Sequence, residues 1–235
     1  LSGEQWFRIV ILALVQTTVH YYFFYVGLSF TTGAKSSIIN SSSVFFSALL
    51  AHLFYMNDKV SARKALGILI GFIAVILVNF EPNLGFTFLL RGEGFVMIAA
   101  LLHSGAGLYS KRVSQTIDPV LLTGSQLLIG GVLLLIIGMV MGAPFPSGGI
   151  EAYALLAYMA LLSAVAFSVW TSLLKHNKVS SITVFNFIIP VSGTLLSALI
   201  LKESVLQVQY LVALPAVAIG IHLVNSAGKG RRNRS

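Results

Sequence analysis

Long apolar runs separated by short polar stretches dominate the sequence. Eight of them approach the 20 or so residues that an α-helix needs to cross about 30 Å of hydrocarbon. They lie at Trp6–Val26, Thr32–Tyr55, Ala62–Phe80, Gly94–Tyr109, Val120–Met141, Tyr153–Leu174, Ile182–Leu201 and Val208–Val224. The fourth is short, and an alternative start lies near Arg91. Because lipid offers no partner for free backbone groups and barrel strands would alternate in polarity, the runs predict an all-α, polytopic transmembrane helix bundle.

Composition agrees with this pattern. Of the 235 residues, 57% are hydrophobic and only 9% are charged, whereas soluble domains carry roughly 25% charged residues. An ordinary water-soluble globule is therefore excluded. The chain has no Cys, which excludes disulfides, thiolate metal sites and Cys nucleophiles.

The Lys and Arg residues fall mainly into alternate loops. Twelve of the fifteen Lys and Arg fall before the first span or after the even-numbered spans, and three fall in the other loops. The positive-inside rule then predicts that this face and both termini are cytoplasmic, in a plasma (inner) membrane of bacterial type. The net charge of +8 is thereby assigned to orientation in the lipid bilayer, and a nucleic-acid partner is not expected.

The chain also contains a weak internal repeat. Gly27–Asn79 laid over Leu173–Asn225, with one single-residue shift, aligns Asn40 with Asn186 and Asp58 with Glu203. The aligned spans two and three lie five crossings before spans seven and eight, so the two copies point in opposite directions. Inverted repeats are typical of secondary transporters, because two opposed half-structures can exchange roles between inward-open and outward-open states.

These elements, above all GLSFTTGAKSSIINSSSVFFSALL and the later IIPVSGTLLSALILKES, resemble the EamA-type branch of the drug/metabolite transporter (DMT) superfamily. The resemblance implies ten helices in two inverted five-helix repeats, of which this chain matches the last eight, and a role in exporting amino acids and other small metabolites. The resemblance also implies four segments in chain order. The last three helices of the first repeat occupy residues 1–80, a connecting loop 81–92, a complete second repeat 93–226 and a basic tail 227–235.

Polar residues inside the spans are the candidate binding residues. On span two, Ser36, Asn40 and Ser43 lie at helical spacing within about 60° of one another. On span seven, Thr183 and Asn186 share a face with Pro190, a candidate hinge. Ser and Thr in membrane helices often serve only close packing. An amide in lipid must find a partner, so the two Asn either join helices or face a wet cavity.

Four further residues complete the candidate set: Gln16, His20, His103 and Trp170. For each His, a packing role competes with a binding role. Lys35, one turn into span two, is expected to extend toward the aqueous interface rather than to bind a carboxylate. The motifs Gly67-xxx-Gly71 and Gly138-xxx-Gly142 favour close helix packing within the chain or contact between two copies in a homodimer.

No Asp or Glu lies deep in any span, which argues against coupling through an intramembrane carboxylate. The sequence lacks the motifs of an intramembrane hydrolase, a metalloprotease or a phosphate-binding loop, and no cofactor or metal is expected. The resulting prediction is a secondary transporter of small polar or amphipathic metabolites that works by alternating access. An intramembrane enzyme and a non-transporting scaffold or receptor are the alternatives.

The Cys-free chain permits a test of the predicted topology. Ser61→Cys and Ser114→Cys should react with a membrane-impermeant maleimide only from the cytoplasm, and Ser147→Cys only from outside. Labelling of intact cells and of inverted vesicles measures both. Reaction of any of the three from the opposite side would contradict the assigned orientation.

Overall fold

The computed structural model describes residues 1–54, 60–81, 85–143, 148–176, 186, 188–203 and 208–226. Every predicted span contains helix. The helices are α1 Gly3–Leu12, α2 His20–Leu28, α3 Gly33–Asn40, α4 Ser43–Phe54, α5 Ala62–Val78, α6 Phe95–Val113, α7 Pro119–Val140, α8 Ile150–His176, α9 Ile188–Ile200 and α10 Val208–Ser226. Two π-helical segments, Ala13–Val19 and Leu90–Gly94, precede α2 and α6.

The fold is that of a polytopic helical membrane bundle, as predicted. Four helical stretches are long and apolar enough to cross a membrane, namely Gly3–Leu28, Gly33–Phe54, Pro119–Val140 and Ile150–His176. The remaining helices include the shorter apolar stretches Ile188–Ile200 and Val208–Val224. The extended structure in the described residues is a two-residue antiparallel pairing between β1, Phe80–Glu81, and β2, Gly85–Phe86, which connects spans three and four.

The chain forms two compact units. Unit 1 comprises Leu1–Tyr22 and Tyr109–Asn177, and unit 2 comprises Phe23–Leu108 and Lys178–Ser235. Each unit therefore combines an early with a late part of the chain.

In unit 2, α5 and α10 pack closely because glycine removes side chains where they cross. A Cβ added to Gly220 would lie 2.7 Å from the carbonyl oxygen of Gly67 and 3.1 Å from the amide nitrogen of Gly71. The ring of Phe45 occupies the space beside Gly71. The Gly67-xxx-Gly71 motif thus serves helix packing within the chain.

In unit 1, α7 packs against the first π-helical segment and against α8. The Thr18 hydroxyl donates to the carbonyl oxygen of Gly130 at 3.2 Å, and the hydroxyls of Thr123 and Thr171 lie 3.3 Å apart. Most of α8 is exposed within the chain: none of its most apolar 18-residue stretch is buried. An apolar surface of this kind suits contact with lipid.

The structure corrects one of the labelling sites. Ser114 is fully buried and its hydroxyl donates to the carbonyl oxygen of Lys111, so a Cys there would report burial rather than sidedness. The neighbouring Gln115 is exposed and replaces it. Ser61 is exposed at the start of α5, while Ser147 lies outside the described residues.

The crossing of α5 and α10 predicts a position-specific loss of stability. Gly220→Leu should lower the stability of the protein by about 1 to 3 kcal/mol, because the new side chain meets backbone atoms of α5 that cannot move aside. Thermal unfolding of the detergent-solubilised chain measures the effect.

Gly131→Leu is the matched control. A Cβ at Gly131 meets no heavy atom within 4 Å, so this variant should unfold close to the wild-type temperature. Equal losses in the two variants would contradict the role assigned to the crossing.

Candidate functional site

The second span tightens beside its central amide. α3 ends at Asn40 and α4 begins at Ser43, with turn residues Ser41 and Ser42 between them. The amide of Ser42 bonds to the carbonyl oxygen of Ile39, three residues back, so the backbone tightens here.

This tighter turn bears on the expected arrangement of the polar residues in span two. The prediction that Ser36, Asn40 and Ser43 share one face assumes uniform α-helical rotation, and it stays a prediction. Ser36 is buried, Asn40 is half-buried and Ser43 is buried. The carbonyl oxygen of Ser43 accepts a hydrogen bond from the Ser104 hydroxyl of α6 at 2.7 Å, which fixes the start of α4 against span four.

Small residues let α3 and α9 cross closely in unit 2. A Cβ on Gly193 would lie 2.0 Å from the Ser37 hydroxyl oxygen, and a Cβ on Gly33 would lie 2.4 Å from that of Ser197. The Ser37 hydroxyl also donates to the carbonyl oxygen of Ile189 at 3.0 Å. The beginning of α3 is therefore joined to the end of α9, and this region is called the Glu203 end of unit 2.

The Glu203 carboxylate connects the same two helices. Its oxygens accept hydrogen bonds from the amides of Gly33 at 2.8 Å and Ala34 at 2.9 Å. These amides belong to the first turn of α3, where backbone donors lack partners within the helix and the helix dipole favours a negative charge. The sequence analysis noted Glu203 only as the repeat counterpart of Asp58, which lies outside the described residues.

Lys202 directs Glu203 toward α3. It has a φ of 55° at the end of α9, in the left-handed region that side chains other than Gly and Asn rarely adopt. Both Leu201 and Glu203 donate their amides to the carbonyl oxygen of Ser197. The helix thus ends in a tight turn beside α3.

Unit 1 contains a second polar group. Gln16 lies in the π-helical segment Ala13–Val19 and is 4% exposed. Among the described residues, the side-chain oxygens of Gln16, Thr17 and Gln126 are buried without a hydrogen-bond partner. Buried polar atoms normally find partners, and π-helical turns often occur at functional sites. Sequence reasoning identified Gln16 but missed both Gln126 and the π-helical geometry.

His20 and Trp170 also belong to unit 1. His20 is buried, and its ring centroid lies 4.9 Å from that of Tyr21, whose ring in turn makes an edge contact with Phe167 of α8. Trp170 is half-buried on α8.

The remaining candidates belong to unit 2. His103 is half-buried on α6, and Asn186 is half-buried just before α9. Pro190 is buried in the first turn of α9, a position where proline does not remove a helical hydrogen bond. Thr183 lies outside the described residues. The candidates are thus divided between the units, with Gln16, His20 and Trp170 in unit 1.

Comparison with known proteins identifies the family. The model of the EamA-like transporter family matches residues 1–80 and 90–226. A WAT1-related chloroplastic protein of Arabidopsis thaliana is 28% identical over 231 residues, which cover 94% of this chain and 55% of the plant protein. An uncharacterized transporter of Synechocystis is 26% identical, covering 95% of this chain and 72% of its own length. The chain therefore spans about half the length of the plant relative.

A solved crystal structure has the same fold, with a TM-score of 0.70 and 17% sequence identity over the whole of this chain and 79% of its own length. The uncharacterized transporter YvbV of Bacillus subtilis is 24% identical over 97% of this chain. Both bacterial relatives are named as transporters. The family match, which extends from the first residue to the last helix, shows that this multi-pass membrane protein belongs to the EamA-like transporter family, within the DMT superfamily.

Proposed function

We propose that the protein is a secondary transporter that exports small polar or amphipathic metabolites, such as amino acids or related compounds, by alternating access. Its location is the plasma (inner) membrane of a bacterium, with both termini in the cytoplasm. The two EamA repeats, one incomplete in this chain, supply the two halves of the mechanism. The small-molecule solute and the lipid bilayer are its partners.

The observation that carries this proposal is the crossing of α3 and α9. These helices belong to spans two and seven, which the sequence repeat pairs with each other, and they meet through Gly33, Ser37, Gly193 and Ser197. The other repeat-paired spans, three and eight, also pack directly through glycine. Contacts between repeat-related helices support two opposed halves related by a twofold axis in the membrane plane.

The contact at the Glu203 end acts as a closed gate in this proposal. Small residues bring the two backbones together there, and the Glu203 carboxylate adds two hydrogen bonds across the contact. Opening requires these bonds to break, so their strength sets how often this end opens. The hinge of this proposal is Pro190, in the first turn of α9, where the chain enters the helix.

The polar residues bind the solute in this proposal. Asn40, beside the tight turn in span two, and its repeat counterpart Asn186 hydrogen-bond the solute, helped by Ser36, Ser43 and Thr183. Gln16, His20 and Trp170 within unit 1, and His103 within unit 2, are further candidate contacts of the solute. The unpartnered oxygen of Gln16 supports a wet or ligand-bound environment in unit 1.

The side-chain amides of Asn40 and Asn186 provide the first test. Asn40→Ala and Asn186→Ala should each reduce transport at least tenfold while leaving folding intact, because each removes hydrogen bonds to the solute. Flux of the solute identified by a metabolite screen in vesicles measures this, and gel filtration measures folding. The exposed amide Gln115 supplies the control: Gln115→Ala should transport normally. Normal flux in both Asn variants would remove them from the site.

The gate provides a second test. Glu203→Gln, made together with Ser197→Cys as a reporter, should increase maleimide labelling of the reporter about tenfold or more, because charge-assisted hydrogen bonds at the contact are weakened. Ser197 is 5% exposed at the α3–α9 crossing, so its labelling rate measures opening of this end in detergent-solubilised protein. Glu151→Gln, at an exposed position in the first turn of α8, should leave the rate unchanged. An unchanged labelling rate in Glu203→Gln would contradict the proposed gate.

A further inference from the structure

A group of buried oxygen atoms lies between the first and fifth spans in unit 1. In the part of the chain that the structure describes, Gln16 Oε1, Thr17 Oγ1 and Gln126 Oε1 are buried and make no hydrogen bond. The three residues are 4%, 3% and 1% exposed. Because buried polar atoms normally have partners, three such atoms in one unit need an explanation. The solute binding proposed above involves neither Thr17 nor Gln126.

Two contacts show that the first span and α7 run side by side in the same direction. The Gln5 side chain donates to the carbonyl oxygen of Thr116, just before α7, at 3.2 Å. Further along both spans, the Thr18 hydroxyl donates to the carbonyl oxygen of Gly130. The two contacts join residues 111 and 112 positions apart in the sequence. A residue of α7 therefore lies level with the residue about 112 positions before it.

This alignment brings the three oxygen atoms to one place. Gln126 lies level with positions 14 and 15, about 5 Å or less along the axis from Gln16 and Thr17. It shares the buried face of α7 with Gly130, one turn further on. Gly130 meets the first span directly, because a Cβ added to it would lie 2.4 Å from the Cβ of Thr17. The π-helical segment that carries Gln16 and Thr17 packs against α7, so the three side chains converge on this contact.

All three atoms are acceptors, which restricts what can lie between them. A water molecule has two hydrogens, so it can donate to two of the oxygens and leaves the third without a partner. A cation receives lone pairs from all three at once, and oxygen atoms are the ligands that hard cations prefer. The carbonyl oxygens of Ala13 and Gly130 lie beside the same contact. They share the Thr18 hydroxyl as donor at 3.3 and 3.2 Å, and a carbonyl oxygen has a second lone pair to offer.

Charge and size favour Na⁺ among the common cations. No Asp or Glu lies deep in any span, and a divalent ion held only by neutral ligands inside a membrane span costs more to bury than a monovalent one. The backbones approach closely at Gly130, which favours a small ion over K⁺. The expectation that no metal is bound rested on acidic, His and Cys ligands, and Na⁺ needs none of these.

We propose that unit 1 binds one Na⁺ ion between the π-helical segment and α7, with the side-chain oxygens of Gln16, Thr17 and Gln126 as ligands. The ion joins the first span to the fifth and stabilises the π-helical geometry, a form that often occurs at functional sites. This site goes beyond the proposed transport function, and its test needs neither solute nor flux. Gln16 is also a candidate solute contact, so the variants below leave it intact.

Binding of radioactive Na⁺ to the detergent-solubilised full chain in choline chloride is the direct measurement. Wild-type protein should bind one ion saturably, and unlabelled Na⁺ should displace the tracer at a concentration about tenfold or more below that of K⁺. NaCl should also raise the thermal unfolding temperature above that in choline chloride at equal ionic strength, because an ion that binds only the folded state stabilises it.

Substitutions of similar shape then assign the ligands. Thr17→Val and Gln126→Met each remove one oxygen, so each should weaken Na⁺ binding about tenfold or more. Thr17→Ser keeps the hydroxyl and should bind within about threefold of wild type. In choline chloride, Thr17→Val and Gln126→Met should unfold at or above the wild-type temperature, because each removes a buried oxygen that has no partner in the chain. Gel filtration verifies that both variants are folded.

Thr171→Val is the matched control. It removes a buried hydroxyl of the same unit that already lies 3.3 Å from the Thr123 hydroxyl, so it should bind Na⁺ as wild type does. Absence of saturable Na⁺ binding to wild type, displacement of the tracer by K⁺ as readily as by Na⁺, or wild-type affinity in either Thr17→Val or Gln126→Met would each overturn the proposal. An equal loss of binding in Thr171→Val would assign the effect to general disruption of unit 1 and likewise overturn it.

Discussion

The structure depends on backbones that approach closely where side chains are absent. Among apolar helices in lipid there is little hydrophobic force to draw one helix to another, so association relies on dispersion contacts and on hydrogen bonds between helices. Unit 2 meets this constraint twice, at Gly67, Gly71 and Gly220 and again at the crossing of α3 and α9. In both places a carbonyl or hydroxyl oxygen occupies the space that a Cβ would need, and at the second a carboxylate joins the helices as well.

The helical spans could be predicted from sequence, because a membrane-crossing helix leaves a continuous apolar run that depends on no other part of the chain. The tight turn at Ser41 and Ser42 and the π-helical segment at Ala13–Val19 could not. In each, a side-chain hydroxyl donates to a backbone carbonyl of the same span, Ser41 to that of Ile38 and Thr18 to that of Ala13. A run of Asn and three Ser at 40–43 is a local signal for the first, but it does not say where the turn falls.

The polar contacts between helices were harder to predict from the sequence. Glu203 was noted in the sequence only as the counterpart of Asp58, and the amides that it binds lie about 170 residues earlier in the chain, so no local pattern reveals them. For Lys35 the sequence argument assumed water or lipid headgroups as the alternative to burial. The structure supplies Glu93 instead, a partner that only the folding of span four against span two brings near.

The π-helical segment has a geometric effect on the rest of the first span. A π-helical turn accommodates more residues than an α-helical turn. Over the seven residues in this form, the chain therefore rotates about the helix axis by roughly 100° less than it would in an α-helix. That difference is about the rotation that one residue contributes to an α-helix. The aromatic residues that follow, from His20 to Tyr25, are thereby directed to a different side of the helix. An amphipathic projection drawn as if the span were uniform would assign them to the wrong surface.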